Sequence, residues 1–291
     1  MRVFVVGSTG ILGYHLVPLL LRQGFAVRAL ARSTDKARGL AAAGAEVVQG
    51  DLLAPGSAAQ LASWLQECDA TVHAATSIPR DPTLPGAWSA NTQLRTQGTR
   101  LLLDASRAAG VQRYVQQSIV MAYPDSGDRW IEESVPLDTA PGRAAVTAPV
   151  VEMETLVRAV PPERLQWCIL RGGSFMGQGT AQDDLIARLR AGSEKVPCDG
   201  RYYISPIHVA DMAAAVAAAL AAPAGSIFNI VDAPVRYGDY VDRLAAQTGA
   251  PPPPRDPTRA CPPSWRCSNR AARTILGWSP THGIGIADRR I

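Results

Sequence analysis

Residues 2–13, Arg-Val-Phe-Val-Val-Gly-Ser-Thr-Gly-Ile-Leu-Gly, constrain the fold more than any other stretch of this 291-residue chain. A strand at 2–6 with an apolar run at 3–6, of the kind buried on both faces of a parallel sheet, leads into Gly7-x-x-Gly10-x-x-Gly13. A helical period over 11–23 follows, with Ile11, Leu12, His15, Leu16, Leu19 and Leu20 on one face and Gly24 closing it. Glycine turns without a ligand exist, but this one lies between a first strand and an amphipathic helix. Gly7 permits the tight turn, Gly10 lets backbone approach a pyrophosphate, and Gly13 lets helix and strand pack closely. The helix N-terminus offers unpaired N–H groups and partial positive charge to the phosphates.

The same alternation continues along the chain. Strands are predicted at 26–30, 45–48, 69–74, 113–117 and 166–170, with helices at 33–42, 57–66, 87–109 and around 152–160. Strands and helices in this rhythm imply a parallel sheet covered on both faces. After Arg171 the rhythm loosens into a helix at 181–191, a short strand at 202–205, a helix at 209–222, a strand at 226–231 and a helix at 237–248. Four prolines at 251–254 impose an extended loop, and 268–276 reads as a helix ending at Gly277. The expected architecture is a doubly wound α/β (Rossmann) domain over 1–171 and a smaller mixed substrate lobe over 172–291, with boundaries that need not be continuous.

Composition excludes several classes. Net charge is +4 with no basic run, which disfavours nucleic acid as a partner. The longest apolar run, 212–222, is too short to cross a bilayer, and glycines break the apolar N-terminus where a signal peptide would be continuous. Five cysteines (Cys68, Cys168, Cys198, Cys261, Cys267) form an odd set without C-x-x-C spacing. They read as reduced thiols of a cytoplasmic protein, a Cys261–Cys267 disulfide being the alternative. Four histidines, far apart and without paired spacing, offer no metal site.

The end of the second strand bears on the choice of cofactor. A carboxylate there would take the ribose 2′-hydroxyl of NAD; an arginine there accommodates the 2′-phosphate of NADP. The chain has Ala31-Arg32-Ser33, then Lys36, with no carboxylate before Asp35, so NADP(H) is favoured over NAD(H); Arg32 as a solvated surface residue is the alternative. Asp51, followed by Leu52, suits an adenine edge contact after the third strand.

With Gly50-Asp51-Leu52, His73-Ala74-Ala75, Asn91, the stretch 98–102, Ile169-Leu170-Arg171, Phe175-Met176-Gly177, the stretch 207–211, Phe228-Asn229-Ile230 and the stretch 276–280 in that order, nearly the whole chain resembles the NAD(P)-dependent epimerase/dehydratase branch of the short-chain dehydrogenase/reductase superfamily. The resemblance implies that Gly7, Thr9, Gly10, Ile11, Leu12 and Gly13 hold the pyrophosphate. It places Ala74 and Ala75 along the cofactor, Gly173 to Phe175 near the nicotinamide, and Asn91 as a bridge from helix to sheet. It also makes a monomer or homodimer the expected assembly.

The chain departs from that pattern where protons are handled. There is no lysine from 37 to 194 and no tyrosine from 124 to 201, and the Tyr-x-x-x-Lys positions of the family fall on Val146 and Val150. The substrate-contacting hydroxyl falls on Ile119, within Ser118-Ile119-Val120-Met121-Ala122-Tyr123-Pro124. A tyrosine activated by an ammonium poises the family's general acid, and a valine pair cannot move a proton. The arginine that grips diphosphate in members acting on nucleotide sugars is also missing near Ile207, Arg201 being the nearest, so a neutral or hydrophobic small-molecule substrate is expected. Ser118 and Tyr123 are the candidate catalytic hydroxyls, each with a packing alternative; Tyr202 and Tyr203 could line the substrate region. The expected function is an NADP(H)-dependent oxidoreductase with a non-standard proton donor. The alternatives are a non-catalytic NADP(H)-binding sensor or regulator, and a non-redox cyclase or isomerase on a recruited scaffold.

Overall fold

The computed structural model describes residues 1–79, 81 and 84–285. Its centre is a seven-stranded sheet in the order β12-β7-β5-β4-β1-β2-β3, every neighbouring pair parallel. The elements of its first half are β1 (Arg2–Val6), α1 (Ile11–Arg22), β2 (Ala26–Ala31), α2 (Thr34–Ala42), β3 (Glu46–Gln49), α3 (Ser57–Trp64) and β4 (Ala70–His73). Next come α4 (Ser89–Gln93), a π turn (Leu94–Gly98), α5 (Thr99–Ala108), β5 (Arg113–Ile119), β6 (Trp130–Ile131), α6 (Ala144–Arg158) and β7 (Gln166–Gly172).

Two apolar layers sandwich the sheet. On one side Leu12, Leu16, Val17 and Leu20 of α1 pack with Met212, Val216 and Leu220. On the other, Leu61, Leu102, Leu103 and Val157 cover Phe4, Val6, Tyr114 and Ile169. Strands with buried side chains on both faces need such cover, which is why β1 is apolar from Val3 to Val6 and all four residues of β4 are buried.

The helix expected over 87–109 carries the π turn at its middle. A Cβ at Gly98 would lie 2.9 Å from the Leu52 side chain, so the helix approaches closely the loop after β3. The helix expected around 152–160 begins much earlier, at Ala144, and keeps Pro149 inside it.

The second half supplies β8 (Ser174–Met176), α7 (Ala181–Arg190), β9 (Val196–Pro197), β10 (Tyr203–Ile204), β11 (Pro206–His208), α8 (Val209–Ala219), β12 (Ser226–Ile230), β13 (Val235–Arg236), α9 (Tyr237–Thr248), β14 (Arg255–Asp256), β15 (Arg266–Cys267) and α10 (Arg270–Thr274). A cut at residue 171 does not follow the layers. β12 pairs with β7 in the main sheet and α8 packs on α1, so the chain leaves the Rossmann layer after β7 and returns to it. The lobe outside it is a cluster of α7, α9 and β9 around Leu185, Leu189, Val196, Val241 and Leu244. The region 268–276 is helical only over α10, and Arg266 and Cys267 just before it pair with β6.

Candidate functional site

β1 lies between β2 and β4, so the crevice where the strand order reverses opens at the C-terminal ends of β1 and β4. Gly7 has φ +91°, and a Cβ there would sit 2.6 Å from the Ala74 carbonyl carbon and the Ala75 nitrogen. A Cβ at Gly13 would fall 2.3 Å from the Ser8 carbonyl oxygen. Ser8 Oγ donates to the Leu30 carbonyl at 2.7 Å, tying the turn to β2. A Cβ at Gly10 would instead meet only the Gly7 oxygen, at 3.3 Å. Thr9, Gly10 and Ile11 are exposed, α1 has no acidic residue in its first turn, and no side chain caps it. Leu12 and Gly13 are buried, so what they can present is backbone. An open, positively polarised helix end beside close-packed glycines fits a dinucleotide diphosphate.

Beyond β2, Arg32 is exposed, and among the described residues no carboxylate is paired with it. Ser33 Oγ accepts from the Lys36 N–H at 3.4 Å and caps α2, leaving the Lys36 side chain exposed. Asp35 is turned away onto Arg38 at 2.7 Å. Asp51 Oδ1 accepts from the Leu53 N–H at 3.0 Å, and Leu52 is buried. Ala74 is buried and Ala75 half-buried at the mouth of the crevice. Asn91 Oδ1 accepts from the Ser77 N–H at 3.1 Å, joining α4 to the segment after β4. A Cβ at Gly173 would lie 2.2 Å from the Ser205 oxygen, and the Phe175 ring stands 3.4 Å from a Cβ placed at Gly172, over the end of β7.

Both candidate hydroxyls are committed inside the fold. Ser118 is fully buried and donates to Glu154 Oε1 at 2.7 Å. Tyr123 is also fully buried; it donates to Asn229 Oδ1 at 2.9 Å and accepts from Arg171 at 2.6 Å. Burial pushes the Tyr123 phenol well above its ordinary value, against the pull of Arg171. Arg171 in turn holds Glu154 with two donors, at 3.0 and 2.7 Å. Burial works to lower the Arg171 guanidinium, but the Glu154 hydrogen bonds and charge outweigh it and hold it raised. Val150 is buried against Ala122 and Met153, and Val146 is half-buried one turn earlier.

Sequence reasoning passed over three charged groups here. Glu154 lies on the apolar face of α6 with Val150, Met153 and Val157, and a carboxylate on a buried helical stripe is a legible signal. Arg95, in the π turn, is 2% exposed; burial lowers its guanidinium to about 10, against the raising charge of Glu154, and its Nε has no hydrogen-bond partner among the described residues. Arg143, at the start of α6, donates to the Met121 and Tyr123 carbonyls and to Asp138, and lies 5.2 Å over the Trp265 ring. It pins the loop after β5. His73, buried at the end of β4, stands 3.1 Å from Gln116 Oε1, and burial drives it down to about 4, so it is a neutral packing residue.

Around the ends of β5 and β7 the half-buried side chains are Ile119, Met121, Leu137, Val146, Phe175 and Trp265. Tyr202 stacks on Tyr237 at 5.2 Å, while Tyr203 lies between Arg236 and Arg266 at 4.0 and 4.9 Å. The histidines, distant in sequence, partly converge: His208 stacks on His282 at 4.8 Å and meets His15 edge-on at 6.4 Å. His282 also engages the buried Asp211 at 2.8 Å, so this group fastens the chain after α10 to α8.

The cysteines depart from expectation. Cys198 and Cys261, 63 positions apart, form a disulfide with their Cα atoms 5.4 Å apart, while Cys68, Cys168 and Cys267 are free and buried. Pairing of β9 with β14 brings the first two together, whereas Cys267 is drawn under the fold by β15. Among the described residues no helix is long and apolar enough to cross a membrane.

A glycine turn of this geometry at a switch point defines a dinucleotide-binding α/β protein. The NAD(P)H-binding family matches residues 7–223. The chain is 34% identical to the 3-diazoavenalumate denitrifying reductase of a Streptomyces species, over 97% of each protein. It is 30% identical to the 4-hydroxy-2-methyl-3-oxo-4-farnesyl-3,4-dihydroquinoline-1-oxide ketoreductase of Stigmatella aurantiaca, over 86% of this chain and 74% of that protein. Among solved structures, dTDP-glucose 4,6-dehydratase from Streptomyces venezuelae with NAD bound superposes with TM-score 0.83 at 24% identity, covering 99% of this chain and 94% of that one. This chain belongs to the NAD(P)H-binding family and shares the fold of the nucleotide-sugar dehydratases and epimerases among solved structures.

Proposed function

We propose that the protein is an NADP(H)-dependent reductase of a hydrophobic aromatic metabolite whose reduction needs no proton from the enzyme. The observation that carries this reading is the aliphatic pair Val146 and Val150 on α6, together with hydroxyls at Ser118 and Tyr123 that are occupied by Glu154 and Asn229. When bound, the dihydronicotinamide supplies hydride. Residues 7–13 would hold its diphosphate, Arg32, Ser33 and Lys36 the 2′-phosphate, and Asp51 the adenine edge. Ile119, Met121, Phe175 and Trp265 would orient an aromatic ring and exclude water from it.

An acceptor that sheds a neutral leaving group fits such a site. At an aryl diazonium carbon, hydride forms the new C–H bond as the C–N bond breaks, and dinitrogen departs with its electron pair; no side chain has to deliver a proton. The likeness of the present chain to the Streptomyces denitrifying reductase of a diazo compound supports this substrate class. A ketone would instead leave an alkoxide in need of an acid, and loss of a general acid costs about 10²–10⁴-fold.

The test is anaerobic turnover of NADPH deuterated at C4 with a hydroxy-substituted aryl diazonium and with a panel of aryl ketones. Deuterium is expected at the former diazo carbon with dinitrogen released, and none is expected there from heavy water. Faster reduction of the ketones, or no oxidation of NADPH with any acceptor, would refute the proposal. The cofactor assignment has its own check by titration of each nucleotide. Arg32→Ala should weaken NADPH by roughly 10–100-fold, the worth of one charge-assisted contact to phosphate, with little change for NADH. Equal loss for both would remove Arg32 from the 2′-phosphate.

A further inference from the structure

We propose that Cys198, Asp199 and Cys261 form a binding site for a thiophilic divalent cation such as Zn²⁺ when the disulfide is opened. The site lies in the lobe of α7, α9 and β9, outside the cofactor turn.

Backbone pairing builds it. Val196 pairs with Arg255 and Pro197 with Asp256, and the Cys198 N–H donates to the Asp256 carbonyl at 2.9 Å, which sets the loop after β9 against the loop after β14. Asp199 Oδ1 accepts from the Arg201 N–H at 2.9 Å and stands 3.7 Å from Cys198 Sγ, so its carboxylate is already aimed at the sulfurs. One donor atom from each of the three residues lies within 4.8 Å of the others. Asp199 and Cys261 are exposed and Cys198 half-buried, which leaves a fourth position open to water.

The chemistry runs in two steps. A dithiol reductant gives two electrons and two protons to the Cys198–Cys261 bond, which becomes two thiols while the reductant closes to its own disulfide. The cation then replaces the two thiol protons and forms two sulfur–metal bonds and one oxygen–metal bond. Thiolates select Zn²⁺ or Co²⁺ over Mg²⁺ and Ca²⁺.

The clip has a mechanical consequence. Cys261 is joined through Pro262 and Pro263, whose φ angles are restricted, to Ser264 and Trp265. Ser264 donates to the Gly127 carbonyl and to Asp125, and Trp265 Nε1 donates to the Tyr123 carbonyl at 3.0 Å. Metal or disulfide thus anchors the segment that braces the loop after β5.

The test is anaerobic titration of the full chain with Co²⁺ after reduction and removal of the reductant. One equivalent should bind with a sulfur-to-cobalt charge-transfer band, and Zn²⁺ should displace it; the oxidised protein should show no band. Cys261→Ser should weaken binding on the order of 100-fold, and Asp199→Asn, which keeps both thiols, by about tenfold. No band in the reduced protein, or a band that survives Cys261→Ser unchanged, overturns the site. Circular dichroism of each variant separates loss of the site from loss of the fold.

Discussion

Glu154→Ala is expected to destabilise the protein by about 3–5 kcal/mol, the cost of leaving a buried charge without its partner. Glu154 and Arg171 are 3% and 4% exposed at their side chains, and Arg171 donates to both carboxylate oxygens. Removing the carboxylate strands Arg171 in the core and withdraws the counter-charge that favours the ionised form of Arg95. It also leaves the Ser118 hydroxyl without its acceptor. Thermal unfolding followed by circular dichroism should show a fall in Tm of about 5–15 °C for a chain of this size. Glu154→Leu combined with Arg171→Met should recover much of the loss, because an apolar pair carries no desolvation cost. A Glu154→Ala fall under about 2 °C, or no recovery in the double variant, would show that the pair is not what holds α6 to the sheet.

That network also shows where reading the chain runs out. The strands of the first half were legible because a strand buried on both faces must be apolar throughout, as Val3, Phe4, Val5 and Val6 are. The turn after β1 was legible because its tight backbone packing is written as glycine, at 7 against Ala74 and Ala75 and at 13 against Ser8. The first half of α6 was not. Pro141 and Gly142 precede it, Pro149 interrupts it, and Val146, Thr147, Val150 and Val151 have low intrinsic preference for a helix; tertiary burial of Thr147, Pro149 and Val150 overrides those propensities. The place of β12 beside β7 depends on which edge the chain returns to, which no local pattern encodes. The Glu154–Arg171 pair, like the Cys198–Cys261 bond, joins elements whose separation depends on strand register, so residue types alone did not bring the partners together.

Gly10→Ala should weaken NADPH and NADH alike, on the order of 100-fold, while leaving the fold intact. The three glycines of the turn are not equivalent. Substitution at Gly7 drives a Cβ into the backbone of Ala74 and Ala75, and at Gly13 into the backbone of Ser8, so both would disturb the turn before any ligand arrives. A methyl group at Gly10 meets only one oxygen, at 3.3 Å, and otherwise stands in the open space before α1. That space is where a diphosphate would accept from the exposed N–H groups, and each such charge-assisted hydrogen bond is worth about 1.5–3 kcal/mol. Holding phosphate away by one methyl forfeits one or two of them, which sets the expected factor. Fluorescence titration of both nucleotides, alongside a Tm measured without ligand, checks the two halves of the argument. The contrast with Arg32→Ala is diagnostic: the arginine should discriminate between nucleotides, and the glycine should not. Wild-type affinity in Gly10→Ala would mean that the diphosphate does not approach the first turn of α1, and the dinucleotide would then have to be held elsewhere.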